Sequence, residues 1–336
     1  MIQTLSTQTS SATRRFGALA AGAALALSLA GCAPSAPGGE PAAPDGGLKT
    51  LTIGLLPVSD LAPLYLGIEQ GFFEAEGLEL DIQLAQGGAA IVPAVVSGEY
   101  QVGYSNTASL LIAGERGLPI KIISNASSST NVPGEDSVDV AVGPGSDIKS
   151  LTDLEGKTVA VNALNNFAEI AIMNSVEQAG GDPTTINFVE VPYPNGPAQL
   201  AAGEVDAAWT TEPFRTQIIN EGGAIIASPL ADLGESVEVA YFFTSAETLE
   251  SDPATIDGFV AALTKSLEYA SAHEDEARAV LVSELGLEQA VADAVVMPQF
   301  SVEMNLTGLQ AMGDAAVKFG IMTEVPDLTQ LVYSGK

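Results

Sequence analysis

Between Leu48 and Thr244 short apolar runs alternate with stretches whose apolar residues recur at helical spacing. Leu51–Leu56 (LTIGLL), closed by Pro57, is predicted as a buried strand. Helical spacing over Ala62–Gln70 stops at Gly71, where a left-handed cap is needed. After one further turn from Phe72 to Gly77, Leu78–Leu84 alternates as a second strand. Helix over Ala90–Ser97, strand over Val102–Tyr104, helix over Ser109–Arg116 and strand over Ile120–Ser124 complete a first block.

The pattern then restarts. Strands are predicted at Val138–Val142, Lys157–Val161, Asn187–Val191, Ala207–Thr210, Ala224–Ala227 and Glu238–Thr244. Between them lie a short helix opened by a capping box at Ser150 and Asp153, and helices over Asn166–Gln178, Pro197–Ala202 and Phe214–Glu221. From Thr255 onward the spacing is helical through Thr255–Ser271, Asp275–Leu285, Glu288–Met297 and Leu306–Phe319. Strands alternating with helices imply βαβ units and mostly parallel sheets flanked by helices. Two such blocks and a helical tail predict two α/β lobes, with lobe 1 formed by residues 48–142 plus 238–336 and lobe 2 by 143–237. The hinge is expected at the two crossing strands, Val138–Val142 and Glu238–Thr244.

The N-terminus departs from this pattern. Arg14 and Arg15 precede an uncharged run from Phe16 to Ala30 and then Leu29-Ala30-Gly31-Cys32. A basic region, an apolar region and small residues before a cleavage point make an export signal over residues 1–31. Leu-Ala-Gly-Cys is similar to a bacterial lipobox, which makes Cys32 a lipidation site and the mature N-terminus; an ordinary signal peptide with a chance Cys is the alternative. Thr13-Arg14-Arg15-Phe16-Gly17 raises twin-arginine export, but Gly17 and Ala18 stand where that signal has bulky apolar residues. The Pro/Gly/Ala-rich stretch over residues 32–47 reads as a tether between anchor and body. The expected location is the extracytoplasmic face of the cell membrane, with the protein a monomer held by lipid.

Charge narrows the chemistry. The chain carries 12 Lys and Arg against 42 Asp and Glu, a formal charge of −30. Without residues 1–31 the charge is −32, which repels nucleic acid and anionic lipid headgroups. A single Cys and a single His exclude intrachain disulfides, thiolate clusters and His-His metal sites. His273 lies among acids between two tail helices, with no nucleophile elbow anywhere in the chain, so no catalytic residue is assigned. Gly156-Lys157-Thr158 lacks the first glycine of a phosphate loop and stands before a strand instead of a helix. No metal or cofactor motif is present.

Ligands of open α/β sheets bind beyond the carboxyl ends of strands. The loops there carry Asp60, which either caps the next helix or faces the cleft, and Ser105, Asn106 and Thr107, of which Thr107 is also a candidate cap. Asn165, Asn166 and Phe167 follow a later strand; Asn166 with Glu169 spells a capping box, leaving Asn165 and Phe167 freer to meet a ligand. Trp209 and Glu212 lie at another strand end, where an aromatic wall suits a ligand and plain core is the alternative. Tyr193, with Asn195, precedes a helix start at Pro197.

Ile53-Gly54-Leu55-Leu56-Pro57, Ala62–Phe73 (APLYLGIEQGFF) and Glu76-Gly77-Leu78 together resemble the opening of a class of substrate-binding proteins of ABC importers. Its members serve nitrate, taurine, aliphatic sulfonates and thiamine pyrimidine precursors. Gly98–Gly103, Leu151–Lys157, Leu200–Ala208 and Glu212-Pro213 continue the resemblance in the same order. It implies a type II-like periplasmic binding protein fold, a small-molecule ligand held between two lobes, and a permease and ATPase as partners. The alternatives are an enzyme like those that synthesise the thiamine pyrimidine, and a ligand-sensing domain for a partner receptor. An anionic ligand needs cations, yet lobe 2 offers only Lys149, Lys157 and Arg215, with Glu212 placed to pair with Arg215. A neutral or partly cationic heterocycle, such as a vitamin precursor stacked on Trp209 or Phe167, is therefore favoured over a sulfonate or nitrate. The lipobox reading predicts that Cys32→Ser abolishes lipid anchoring. Fractionation should then find uncleaved precursor or released soluble protein; unchanged processing and membrane binding would refute it.

Overall fold

The computed structural model describes residues 47–235, 237–333 and 335. The expected signal over residues 1–31, the lipidation residue Cys32 and the tether up to residue 46 lie outside the described residues. Among the described residues no helix is long and apolar enough to cross a membrane.

The first block folds as β1 (Lys49–Leu55), α1 (Ala62–Glu69), α2 (Phe72–Ala75), β2 (Leu78–Leu84), α3 (Gly88–Val96), β3 (Val102–Asn106), α4 (Thr107–Glu115) and β4 (Ile120–Ser128). Gly71 adopts φ 72°, the left-handed turn expected between α1 and α2. Gly103 lets α3 lie against β3, since a Cβ there would stand 2.6 Å from Ile91 Cγ2. The second block is β5 (Val138–Val142), β6 (Thr158–Val161), α5 (Phe167–Gln178), β7 (Asn187–Glu190), α6 (Gly196–Ala202), β8 (Ala207–Thr211), α7 (Phe214–Asn220) and β9 (Ala224–Ala227). Then come β10 (Glu238–Ser245), α8 (Ala246–Ser251), α9 (Pro253–Ala272), α10 (Glu274–Leu285), α11 (Gln289–Ala294), α12 (Leu306–Lys318) and α13 (Leu328–Leu331).

Two five-stranded sheets result, ordered β2-β1-β3-β10-β4 and β7-β6-β8-β5-β9. In each, all strands run one way except the strand that has arrived from the other block: β10 is antiparallel to β3 and β4, and β5 is antiparallel to β8 and β9. The expected boundary at residue 142 is thereby corrected. Val138, Val140 and Val142 are buried on a strand between two partners of the second sheet, so β5 belongs to lobe 2. The chain crosses between sheets at residues 129–137 and 228–237, and the expected hinge strands are themselves interior sheet members. The tail returns to the first sheet, where Phe259 of α9 packs against Phe73 and Phe242 at centroid distances of 5.6 and 5.7 Å.

The crossings are tied to each other. Ser129 N–H donates to Val237 O at 2.9 Å, and Gly134 N–H to Ser228 Oγ at 2.7 Å. Arg215 of α7 is buried there: Nε donates to Asp139 at 2.6 Å, Nη2 to Gly134 O at 2.7 Å and Nη1 to Glu212 at 3.4 Å. Ser228 Oγ donates to the other Asp139 oxygen at 2.6 Å. Burial still pushes Asp139 up to about 6, against the guanidinium and the hydroxyl that favour its charge. Glu238 opens β10 and accepts the Asn305 N–H at the start of α12, and burial pushes its carboxyl up to about 7.

Removing one member of a buried ion pair strands the rest. Arg215→Met should lower unfolding free energy by about 3–5 kcal/mol in denaturant titrations, and Arg215→Lys should recover only part of it, because an ammonium lacks the fork that reaches both carboxylates. Glu238 predicts a pH effect of defined sign. Its folded value lies above the usual 4.5, so the native state holds the proton more tightly and stability falls as pH rises from there through about 7. Glu238→Gln should remove a loss on the order of 2–3 kcal/mol between pH 5 and 8, read from urea midpoints. An unchanged pH slope would refute this.

Candidate functional site

Loops at the carboxyl ends of strands from both sheets converge on one small enclosed cavity. Leu56 and Val58 follow β1, Asn106 ends β3, Asn162 follows β6, Tyr193 follows β7 and Thr211 ends β8, with Tyr104 beside them. The void measures 20 Å³, room for about one water molecule. Two hydrogen bonds join the lobes: Ser109 Oγ donates to Asn166 Oδ1 at 3.2 Å, and Ser59 N–H to Glu212 O at 3.2 Å.

Asp60 is 2% exposed and caps no helix. Its Oδ2 accepts from Ser127 Oγ, while Oδ1 has no partner. Burial raises its pKa above the usual carboxylate value, with the Ser127 hydroxyl opposing. Burial and then the charge of Asp60 push the Tyr104 hydroxyl well up, which places that ring next to the carboxylate. Trp209 lies on β8, buried, its ring edge-to-face on Phe167 at 5.6 Å, with Nε1 turned to the Tyr193 hydroxyl, beyond close hydrogen-bond range. Ser105 Oγ and Ser137 Oγ are likewise buried without partners. Native proteins leave few such groups; Asp60 stands against Tyr104, a residue of the cavity lining, while Trp209, Ser105 and Ser137 do not line the void.

Several expectations need correction. Glu212 is not available to a ligand. Its carboxylate accepts from Thr216 N–H at 3.0 Å, Thr216 Oγ1 at 2.9 Å, Val296 N–H at 3.1 Å and Arg215, and an acid so deeply buried requires that full set. Thr107 neither caps α4 nor faces the cleft: its hydroxyl donates to Glu238 O, and Asn106 caps the helix by accepting Ser109 N–H at 2.8 Å. Phe167 is buried core under Trp209, not a free ring. Asn166 caps α5, but Glu169 accepts the N–H of Asn165 at 2.8 Å, so no capping box closes. Asn165, held at φ 51°, lines a separate groove, and Asn195 is exposed. Asn162 and Thr211 stand within the candidate loops Asn162–Phe167 and Trp209–Glu212 without a role assigned to them; for Tyr104 the only signal in the sequence is its place before a polar strand end.

His273 stacks on Tyr269 at 3.9 Å on the outer side of the tail helices. Among the described residues no group of three or more His, Cys, Asp or Glu is placed to hold a metal ion.

A family profile described as "NMT1/THI5 like" matches residues 58–277. A Brachyspira hyodysenteriae protein, named provisionally as an ABC transporter periplasmic binding protein, is 23% identical over 198 residues, 54% of this chain and 55% of the relative. The formylaminopyrimidine-binding protein of Halalkalibacterium halodurans is 28% identical over 144 residues, 43% of this chain and 41% of the relative. The chain thus spans about half the length, or less, of these curated relatives. Among solved structures, the periplasmic aliphatic sulphonate binding protein SsuA from Escherichia coli superposes with a TM-score of 0.69 at 17% identity, covering 85% of this chain and 92% of that one. The likeness to SsuA carries the two-lobed α/β fold. The profile takes in more than half of the 336 residues, and the chain belongs to the NMT1/THI5-like family.

Proposed function

We propose that this protein is the solute-receiving component of an ABC importer, and that its ligand is a neutral or cationic heterocycle bearing an amine or ring N–H. The observation that carries the reading is the buried Asp60 carboxylate with one oxygen unpartnered, while Arg215, the cation beside Glu212, is bonded elsewhere. A sulfonate or nitrate entering there meets an acceptor and a negative charge; an amine meets a partner. Trp209 Nε1–H supplies a donor for a ring nitrogen, and Tyr104 and Tyr193 supply aromatic faces. Asn106, Asn162 and Ser105 complete the polar set. The formylaminopyrimidine-binding relative supports a heterocyclic vitamin precursor as the class. A 20 Å³ void admits no such ring, so entry requires the lobes to part about the crossings at 129–137 and 228–237.

The same reading places a signal at residues 1–31, a lipid anchor at Cys32, a tether to residue 47 and the body on the extracytoplasmic face, delivering solute to a permease driven by a separate ATPase. No catalytic step is assigned.

Thermal shift of the mature chain with a 4-aminopyrimidine, taurine, an alkyl sulfonate and nitrate tests the ligand. At 100 times its dissociation constant the aminopyrimidine should stabilise by ~2.7 kcal/mol, and the anions should not. Asp60→Asn should weaken its binding by roughly tenfold or more. Affinity should also fall on acidification, because the raised pKa of Asp60 lets a proton compete with the ligand. Tight sulfonate binding that improves in Asp60→Asn, or turnover of the pyrimidine, would overturn the assignment.

A further inference from the structure

A groove of 680 Å³ opens on the flank of the lobe boundary, far larger than the central void. Its floor is apolar: Val92 of α3 and Ile112 and Ala113 of α4, all buried. Its far wall comes from the other lobe, where Leu164 stands 44% exposed in the loop after β6. Ser109 and Asn166, whose hydrogen bond joins the lobes, line its inner end. Two charged side chains complete the lining, Arg116 at the end of α4 and Glu190 at the end of β7.

In a protein of charge −30 four cations of the described residues are ion-paired: Lys49 with Asp252, Lys318 with Glu177, Arg278 with Glu274, and Arg215 with Asp139 and Glu212. Among the described residues the Arg116 guanidinium makes no hydrogen bond or ion pair, although Glu115 is its neighbour in the chain and Glu190 shares its groove. An unpaired guanidinium at the rim of an apolar trough of ligand size is complementary to an acid with an apolar body.

We propose that this groove is a second binding site, separate from the cleft, for an amphipathic monocarboxylate. The apolar body lies on Val92 and Ile112 against Leu164, and the carboxylate takes the Arg116 fork. Glu190 repels a second negative charge and so restricts the site to monoanions. Because one wall belongs to each lobe, an occupant binds the joined lobes better than the parted ones and holds them together. The site does not depend on which solute enters the cleft.

Octanoate is the probe, with 1-octanol and octylamine as controls, titrated calorimetrically into the mature chain. Octanoate should bind, and both controls should bind about tenfold more weakly or worse. Arg116→Gln should weaken octanoate by about tenfold while leaving octanol unchanged, and Leu164→Asp, on the other lobe, should weaken both. Both positions are exposed, and thermal melts of the two variants establish that the fold is kept. No octanoate binding at ~10 mM would overturn the proposal, as would equal binding of octanol. Octanoate binding insensitive to Leu164→Asp places it elsewhere on the surface, and tighter octylamine binding lost in Glu190→Gln makes this a cation site; either result overturns it.

Discussion

Asp139 has no access to water, and its carboxylate is tolerable there only because Arg215 meets one oxygen and Ser228 the other. The arrangement reaches beyond one ion pair. The same guanidinium holds Gly134 O of the first crossing, and Ser228, at the start of the second, accepts the Gly134 N–H. Glu212 joins through Arg215 and extends the network to Val296 N–H beyond α11. Both chain crossings, β5, α7 and the tail thus meet around one buried cation. Lobe motion must pivot on segments fastened to this group or strain it.

The cleft inherits its character from that use of charge. Cations are scarce in this chain, and Arg215 is consumed in holding the crossings. An acid, Asp60, and a hydroxyl, Ser105, each keep a buried atom that the closed protein leaves unpartnered. Burying polar atoms without partners costs free energy, so the tightly closed form is the one a ligand with matching donors and acceptors stabilises most. Arg116, out on the flank, makes no ion pair among the described residues, although Glu115 feels its charge and Glu190 lines the same groove.

The order and type of elements were legible in the residues because their signals are local. Leu51–Leu56, the alternation of Leu78–Leu84 and the helical spacing of Thr255–Ser271 each appear as β1, β2 and α9 within a few residues of the predicted bounds. Gly71 stops its helix for a reason contained in one residue, the cost of a positive φ to any side chain. Strand-end loops could be named as the place for a ligand from the α/β alternation alone, and Tyr193 and Asn106 do line the enclosed cavity.

Partner choice was not legible, because periodicity reports that a face is buried and not against what. Val138–Val142 reads as an apolar strand in either lobe; only its pairing with β8 and β9 assigns it to the second. Glu212 and Phe167 look like ligand residues by position, yet one is claimed by Arg215, Thr216 and Val296 and the other by Trp209. Thr107 is drawn to Glu238 O, a residue 131 positions away. By itself the sequence determined the alternation of elements, the turns that end them and the scarcity of cations, since each is set within a few residues or by composition. Tertiary structure alone decided which strand joins which sheet and which polar atoms stay free, since those depend on groups that meet only when distant segments pack.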